Sequence, residues 1–343
     1  MAVFFHDDIV LRILVHLPTR SLVRFQCVSK HWNRLIKYPY IMKFRSPKLF
    51  ALPIDKSLHL IDAASNSIVN SCCPTEDVCD WGQYERVYAI GAFNGIVVLS
   101  LEDIRSLILY NPLTYEYKKL NPPPDNNVRQ IPYGYGFGYG ATPDDLKIVT
   151  LKHDHICQVF SIKKNTSWNI LVPYQRNTRF LDKVGTFLNG FLHWINYETD
   201  VLHVLNLKNM MFWNRVVPFE TRDNTVLGTI DGCLCLLNRR FECNELEMWV
   251  MKEYGWAKTF TFEIPRPKDI NGLYRFYCKP LSIMDSGQIL LGDYYDQLIL
   301  YDILNKSYRS LNVSLGKKLE DYWRRINCVE YVETLISPSE ICV

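Results

Sequence analysis

Leu188-Asn189-Gly190-Phe191-Leu192-His193-Trp194, followed by Val204-Leu205-Asn206-Leu207-Lys208-Asn209 and then Trp213, is the stretch that decides the fold. A Gly-containing turn leads into an apolar strand. A second apolar run follows, then a short polar turn and a strand led by an aromatic residue. Asn-Gly suits a hairpin turn whose central residues need positive φ. Both halves of this unit recur. The turn-and-strand half returns as Asn94-Gly95-Ile96-Val97-Val98, Asp231-Gly232-Cys233-Leu234-Cys235-Leu236 and Ser286-Gly287-Gln288-Ile289-Leu290. The strand-and-turn half returns five more times, and aligning Ile61, Tyr110, Phe160, Leu205, Trp249 and Tyr301 gives steps of 49, 50, 45, 44 and 52. A period of roughly 40–50 residues with four short strands per repeat predicts a β-propeller. The spacing leaves the blade number open, and an irregular β-sandwich with chance hairpin spacing is the competing reading.

Upstream of Lys48 the period becomes helical. Ile9, Ile13 and Leu17 recur every four residues with Val10 and Leu14 beside them, and Asp7 and Asp8 stand where acids favour a helix N-terminus. Pro18 ends that helix, because it lacks an N–H and clashes with the preceding turn. Thr19 is placed to cap a second short helix over Leu22, Val23 and Phe25. Ser29 is placed to cap a third, carrying Trp32, Leu35 and Ile36, which Pro39 stops. Three short helices bury too little area to be secure alone and need the body behind them or a partner in front. The expected organisation is α+β: a small N-terminal three-helix unit over residues 1–45, then a large all-β propeller-like domain over 46–343.

Composition agrees with an ordinary globular chain. Of 343 residues, 48% are hydrophobic and 22% charged, which excludes disorder along the whole length. Aromatics at 13% favour strands and binding surfaces. The net charge of +3 is unevenly spread, because residues 1–50 hold nine Lys/Arg against two Asp/Glu and the rest is mildly acidic. A basic head suggests an acidic partner. No stretch approaches the roughly 18 apolar residues of a membrane span. Met1 to Asp8 lacks the basic n-region of a signal peptide. Eleven cysteines without a regular framework suit reduced thiols in the cytoplasm or nucleus.

The stretch Asp8 to Ile36 closely resembles a plant F-box, with Leu17-Pro18, Ser21-Leu22, Cys27-Val28-Ser29-Lys30 and Trp32 on its pattern. One departure is plain: where the family opens Leu-Pro-Glu-Asp, this chain reads Phe5-His6-Asp7-Asp8, without the proline. The β-domain is similar to the type 1, kelch-like F-box-associated domain. That likeness rests on Gly136-Phe137-Gly138-Tyr139 followed by Asp144 to Val149, on Leu188 to Trp194, on Glu247 to Tyr254 and on Tyr331 to Leu335. The resemblance implies a non-catalytic substrate receptor of an SCF-type ubiquitin ligase. The F-box would dock a Skp-type adaptor, and through it a cullin-RING ligase, by way of Ile9, Ile13, Leu17, Pro18, Leu22, Val28 and Trp32. The β-domain would hold a target protein for ubiquitination and proteasomal degradation. The chain is also similar to the S-locus F-box group of pollen proteins, whose targets are basic ribonucleases.

Long loops of a propeller bind partners. Trp81, Tyr84, Arg129, Tyr174, Arg176, Tyr274 and Tyr322 lie in such segments and are expected target contacts, because Trp, Tyr and Arg dominate hot spots. No metal, cofactor or catalytic residue is expected. Gly134 to Gly140 lacks nucleotide-loop spacing and reads as a packed inner strand. His153, His155 and Cys157 alternate on one strand face without a visible fourth ligand. The loop acids Asp144, Asp145, Glu242, Glu245 and Glu247 would have to pair for glycoside chemistry. The alternative function is a carbohydrate-binding or glycan-processing propeller with a vestigial F-box. A helix-turn-helix DNA reader is disfavoured, because Lys30, Arg34 and Lys37 form no base-reading cluster, and no nucleic acid or membrane partner is expected.

Overall fold

A computed structural model of the chain describes residues 6–17, 19–36, 48–54, 57–62, 67–71, 87–101, 106–120, 132–152, 156–171, 180–196, 198–221, 225–240, 245–253, 255–263, 279–283, 287–292, 298–311 and 328–342. The N-terminal part is a helical head of α1 (Asp7–His16), α2 (Thr19–Phe25) and α3 (Lys30–Ile36). Ser29 caps α3 as expected, its Oγ accepting from the Trp32 N–H at 3.1 Å.

The rest of the described residues form six four-stranded antiparallel sheets. Blade 1 holds β1 (Lys48–Ile54), β2 (Ser57–Asp62) and β3 (Ser67–Ser71). Blade 2 holds β4 (Val87–Phe93), β5 (Ile96–Leu101), β6 (Ser106–Tyr110) and β7 (Tyr117–Leu120). Blade 3 holds β8 (Gly134–Tyr139), β9 (Leu146–Lys152), β10 (Ile156–Ser161) and β11 (Thr166–Leu171). Blade 4 holds β12 (Thr186–Leu188), β13 (Phe191–Asn196), β14 (Val201–Asn206) and β15 (Phe212–Val216). Blade 5 holds β16 (Val226–Ile230), β17 (Cys233–Arg240), β18 (Glu245–Lys252) and β19 (Gly255–Glu263). Blade 6 holds β20 (Lys279–Ile283), β21 (Gln288–Gly292), β22 (Leu298–Asp302) and β23 (Ser307–Leu311). The last strand, β24 (Val329–Val332), returns to blade 1 and pairs with β1, Leu49 opposite Tyr331 and Ala51 opposite Val329.

The ring is therefore closed by one blade built from both ends of the β-domain. The six aligned sequence positions are the third strands of the six blades: Ile61 in β2, Tyr110 in β6, Phe160 in β10, Leu205 in β14, Trp249 in β18 and Tyr301 in β22. The sandwich alternative is excluded. The Asn94-Gly95, Asn189-Gly190 and Asp231-Gly232 pairs turn between first and second strands, all with positive φ.

The core lies between neighbouring blades. One cluster joins Ile90, Val98 and Leu109 of blade 2 to Phe137, Ile148 and Phe160 of blade 3, and another joins Leu237 and Met248 of blade 5 to Ile289 and Tyr301 of blade 6. Strands sandwiched in this way read as continuous apolar runs, as β5 does, buried along its whole length. Outer strands such as β11 alternate and face solvent. Inner-strand glycines set the spacing: a Cβ on Gly91 would strike Phe137, and one on Gly138 would strike Phe187 of the next blade. The Gly134 to Gly140 run is thus the inner strand expected, with Gly136 and Gly138 where the adjacent blade inserts its side chains. The six inner strands surround a central cavity of about 280 Å³ lined by, among others, Ala92, Gly138, Thr186, Thr229, Ser282 and Glu330.

The antiparallel order sorts the connections between two faces. Turns from first to second and from third to fourth strand emerge at one face, and they are short, as in 94–95, 162–165, 189–190 and 303–306. Connections from second to third strand, and from each blade to the next, leave from the opposite face.

Candidate interaction surfaces

The head divides its apolar residues between an inner and an outer side. Val10 and Leu14 of α1 point inward and join Leu22, Leu35 and Ile36 in one buried cluster. One residue round the helix, Ile9 is 48% exposed and Ile13 51% exposed, and Val28, in the turn after α2, is 59% exposed. Large apolar groups left outside a finished core make this side of the head a candidate interaction surface. Leu17 and Trp32 are half-buried at the edge of the cluster, where the Trp32 ring packs edge-on against Phe25 at 5.5 Å. Leu22, expected at the adaptor contact, is fully buried, so in this structure it holds the three helices together and offers no surface. Pro18 lies outside the described residues.

Electrostatics fix the start of α1. His6 adopts φ −61° and ψ 140°, an angle that proline would also hold, with no side-chain cap. Asp7 instead reaches α3: its Oδ1 lies 2.9 Å from His31 Nε2 and its Oδ2 3.9 Å from Arg34. Arg34 in turn lies 3.3 Å from His31 Nδ1. The two ring nitrogens thus face different partners, Nε2 the Asp7 carboxylate and Nδ1 the Arg34 guanidinium. Arg12 of α1, Arg24 of α2 and Lys30 and Arg34 of α3 are exposed on the same head and make its surface basic.

The ring supplies the back of the head's core. Leu113, in the turn between β6 and β7, and Leu335, just past β24, belong to the same buried cluster as Leu14 and Leu35. Both leave the short-turn face of the ring, so the head sits on that face. Asn111 ties the two ring segments together. Its Nδ2 donates to the carbonyls of Thr334 at 3.1 Å and Ile336 at 2.8 Å, while its Oδ1 accepts from the N–H groups of Leu113 and Thr114. Nothing in the sequence pattern distinguished Asn111, Leu113 or Leu335 from their counterparts in other blades.

The seven expected target contacts, Trp81, Tyr84, Arg129, Tyr174, Arg176, Tyr274 and Tyr322, all lie outside the described residues. The segments that carry them join the outer strand of one blade to the inner strand of the next. The strand ends they connect are on the face opposite the head.

The other candidates are engaged locally. Asp145 holds Lys147 at 2.6 Å, Asp144 lies 3.3 Å from Lys163, and Glu247 takes Lys258 at 2.6 Å and Arg240 at 3.4 Å. A hydrogen bond with Thr142, a bond to its own backbone N–H and the nearby Lys163 hold Asp144 below the usual carboxylate range. Glu242, His153 and His155 lie outside the described residues. Cys157 is buried and its thiol pushed up by that burial. Among the described residues, no group of three or more His, Cys, Asp or Glu is placed to hold a metal ion. No described helix is long and apolar enough to cross a membrane.

Comparison with known proteins places both parts. Residues 5–44 match the F-box domain, and residues 40–338 match the F-box associated beta propeller domain. The F-box protein CPR1 of Arabidopsis thaliana is 25% identical, covering 89% of this chain and 84% of its own length. An F-box/kelch-repeat protein of the same plant is 24% identical, covering 97% of this chain and 96% of its own length. A chain in the crystal structure of a mitotic checkpoint complex aligns over 68% of this chain at 12% identity and a TM-score of 0.39, too low to add to the description of the fold.

Proposed function

Because the chain belongs to the plant F-box proteins that carry an F-box-associated β-propeller domain, we propose that it is the substrate-recognition subunit of an SCF-type ubiquitin ligase. The head docks a Skp-type adaptor, which links it to a cullin-RING ligase. The face of the ring opposite the head holds the target protein. The subunit does no chemistry of its own; it raises the effective concentration of target beside the ubiquitin-loaded enzyme. This work belongs in the cytoplasm or nucleus.

One observation carries the reading. Ile9, Ile13 and Val28 stay exposed on a head whose core is already complete and whose surface is basic. Apolar anchors on a basic surface suit a partner that is acidic and presents an apolar groove. Ile9 and Ile13 are one helical turn apart and present a single ridge, and Val28 stands at the end of α2. Leu17 and Trp32 border the patch and contribute their exposed edges.

The test is capture of the tagged full-length chain from plant cells under proteasome inhibition, beside an Ile9→Asp/Ile13→Asp variant. Wild type should bring down a Skp-type adaptor and a cullin, and the variant neither, while both chains stay soluble. Absence of the adaptor from the wild-type capture overturns the proposal.

A further inference from the structure

Third-to-fourth-strand turns repeat one local device. In blade 4 the Oδ1 of Asn206 accepts from the N–H groups of Lys208 and Asn209, and in blade 6 the Oδ1 of Asp302 accepts from the N–H of Asn305. Asn111 makes the same bonds in blade 2 with its Oδ1. A carboxylate serves that purpose as well as an amide, as Asp302 demonstrates. What sets Asn111 apart is its other end. It is fully buried, and its amide N–H groups go to the carbonyls of Thr334 and Ile336, more than two hundred positions away. Only a donor can make those bonds.

The two segments clasped in this way are those that touch the head. Leu113 lies two residues after Asn111, and Leu335 lies between the two bonded carbonyls. Gly95 adds a second contact to the same strand end, where a Cβ would strike Thr334 and the Val332 carbonyl. We propose that Asn111 is a positioning residue that fixes the orientation of the head on the ring, and with it the direction in which a target on the far face is presented to the ubiquitin-loaded enzyme. The second clause rests on the ligase reading; the first stands without it. Neither the adaptor patch nor the target face includes Asn111, so its effect is on their relation and not on either contact.

Amide hydrogen exchange on the full chain separates these possibilities. Asn111→Asp keeps the acceptor for the turn and turns a carboxylate onto two carbonyls, while Asn206→Asp is the matched control in blade 4. The expected result is exchange about tenfold faster or more over residues 7–36 in Asn111→Asp, with blades 3 to 6 protected as before and no change in the control. Leu335→Ser, which attacks the same seat from the other side, should give the same head-only loss and keeps the test decisive if Asn111→Asp does not fold. Unchanged protection of the head in either soluble variant, or equal loosening of every blade, overturns the proposal. Adaptor affinity of Asn111→Asp should stay within about twofold of wild type. A wild-type chain that fails to bind adaptor while head protection still depends on Asn111 would count against the ligase reading alone.

Discussion

At the residue scale, Gly95 and Gly232 occupy equivalent turns with φ of +78° and +68°. A Cβ on Gly232 meets nothing within 4 Å, whereas one on Gly95 meets the C-terminal segment that closes the ring. Gly232→Ala should therefore cost only the left-handed conformational penalty, about 1 kcal/mol. Gly95→Ala should cost that plus overpacking, roughly 2–4 kcal/mol in all, in denaturant titrations of the two variants. Equal losses would show that the contact with residues 332–334 contributes nothing. His193 gives a pH-dependent prediction. It is 8% exposed in β13, and burial pushes its pKa from 6.5 down to about 4, with Arg215 acting in the same direction. The folded state thus binds the proton less readily than the unfolded one. The stabilisation is complete above pH 6.5 and is lost as pH falls through about 4, by up to roughly 3 kcal/mol. His193→Gln should flatten the stability profile over that window, and a profile unchanged by the substitution would contradict the assignment.

At the element scale, the repeat was legible because the third strand ends in the same chemistry in five of the six blades, an apolar pair, then Asp, Asn or Ser, then a turn, while in blade 5 the aligned Trp249 runs on through Val250 and Met251. The Asn-Gly and Asp-Gly turns and the Ser29 cap were legible for the same reason, each being a local requirement met by a local residue type. The sidedness of α1 was not. Ile9, Val10, Ile13 and Leu14 are equivalent by periodicity, and Leu113 and Leu335, distant in sequence, decide which pair is covered. Leu22 is fully buried in the same cluster, a placement that helical periodicity does not separate from an outward one. The role of Asn111 was hidden because Asn, Asp and Ser are interchangeable for the turn, and only the long-range donors distinguish it. The start of α1 carries a prediction. His6 already holds φ −61°, so His6→Pro should raise head stability by roughly 0.4–1 kcal/mol, read by amide exchange in α1. Faster exchange would mean that the His6 N–H makes a bond the helix depends on.

At the scale of the whole molecule, closure by β24 makes the last residues part of the first blade. Deleting residues 328–343 removes the inner strand of blade 1, the carbonyls that Asn111 holds and the Leu335 seat of the head. It leaves β1 as an open inner edge. The truncated chain should lose cooperative unfolding and aggregate; one that melts at the full-length temperature would refute closure. The same architecture separates two surfaces. The head and its exposed patch stand on the face of short turns, and the inter-blade segments with the expected target contacts leave the other. On the proposed function, that separation would let one chain hold an adaptor and a target at once without competition between them.

The central claim is that the exposed patch of the head is the adaptor-binding surface. Isothermal titration of a purified Skp-type adaptor into the full-length chain tests it most directly, with wild type, Ile13→Asp/Val28→Asp, and Leu304→Asp as a control that is 79% exposed on the same face but in blade 6. All three should melt alike, since exposed substitutions rarely change stability by more than about 0.5 kcal/mol. Wild type and control should bind one-to-one, and the affinity should be lower by roughly 100-fold or more in the double variant. A double variant that binds as wild type does, or a wild type that does not bind, would contradict it.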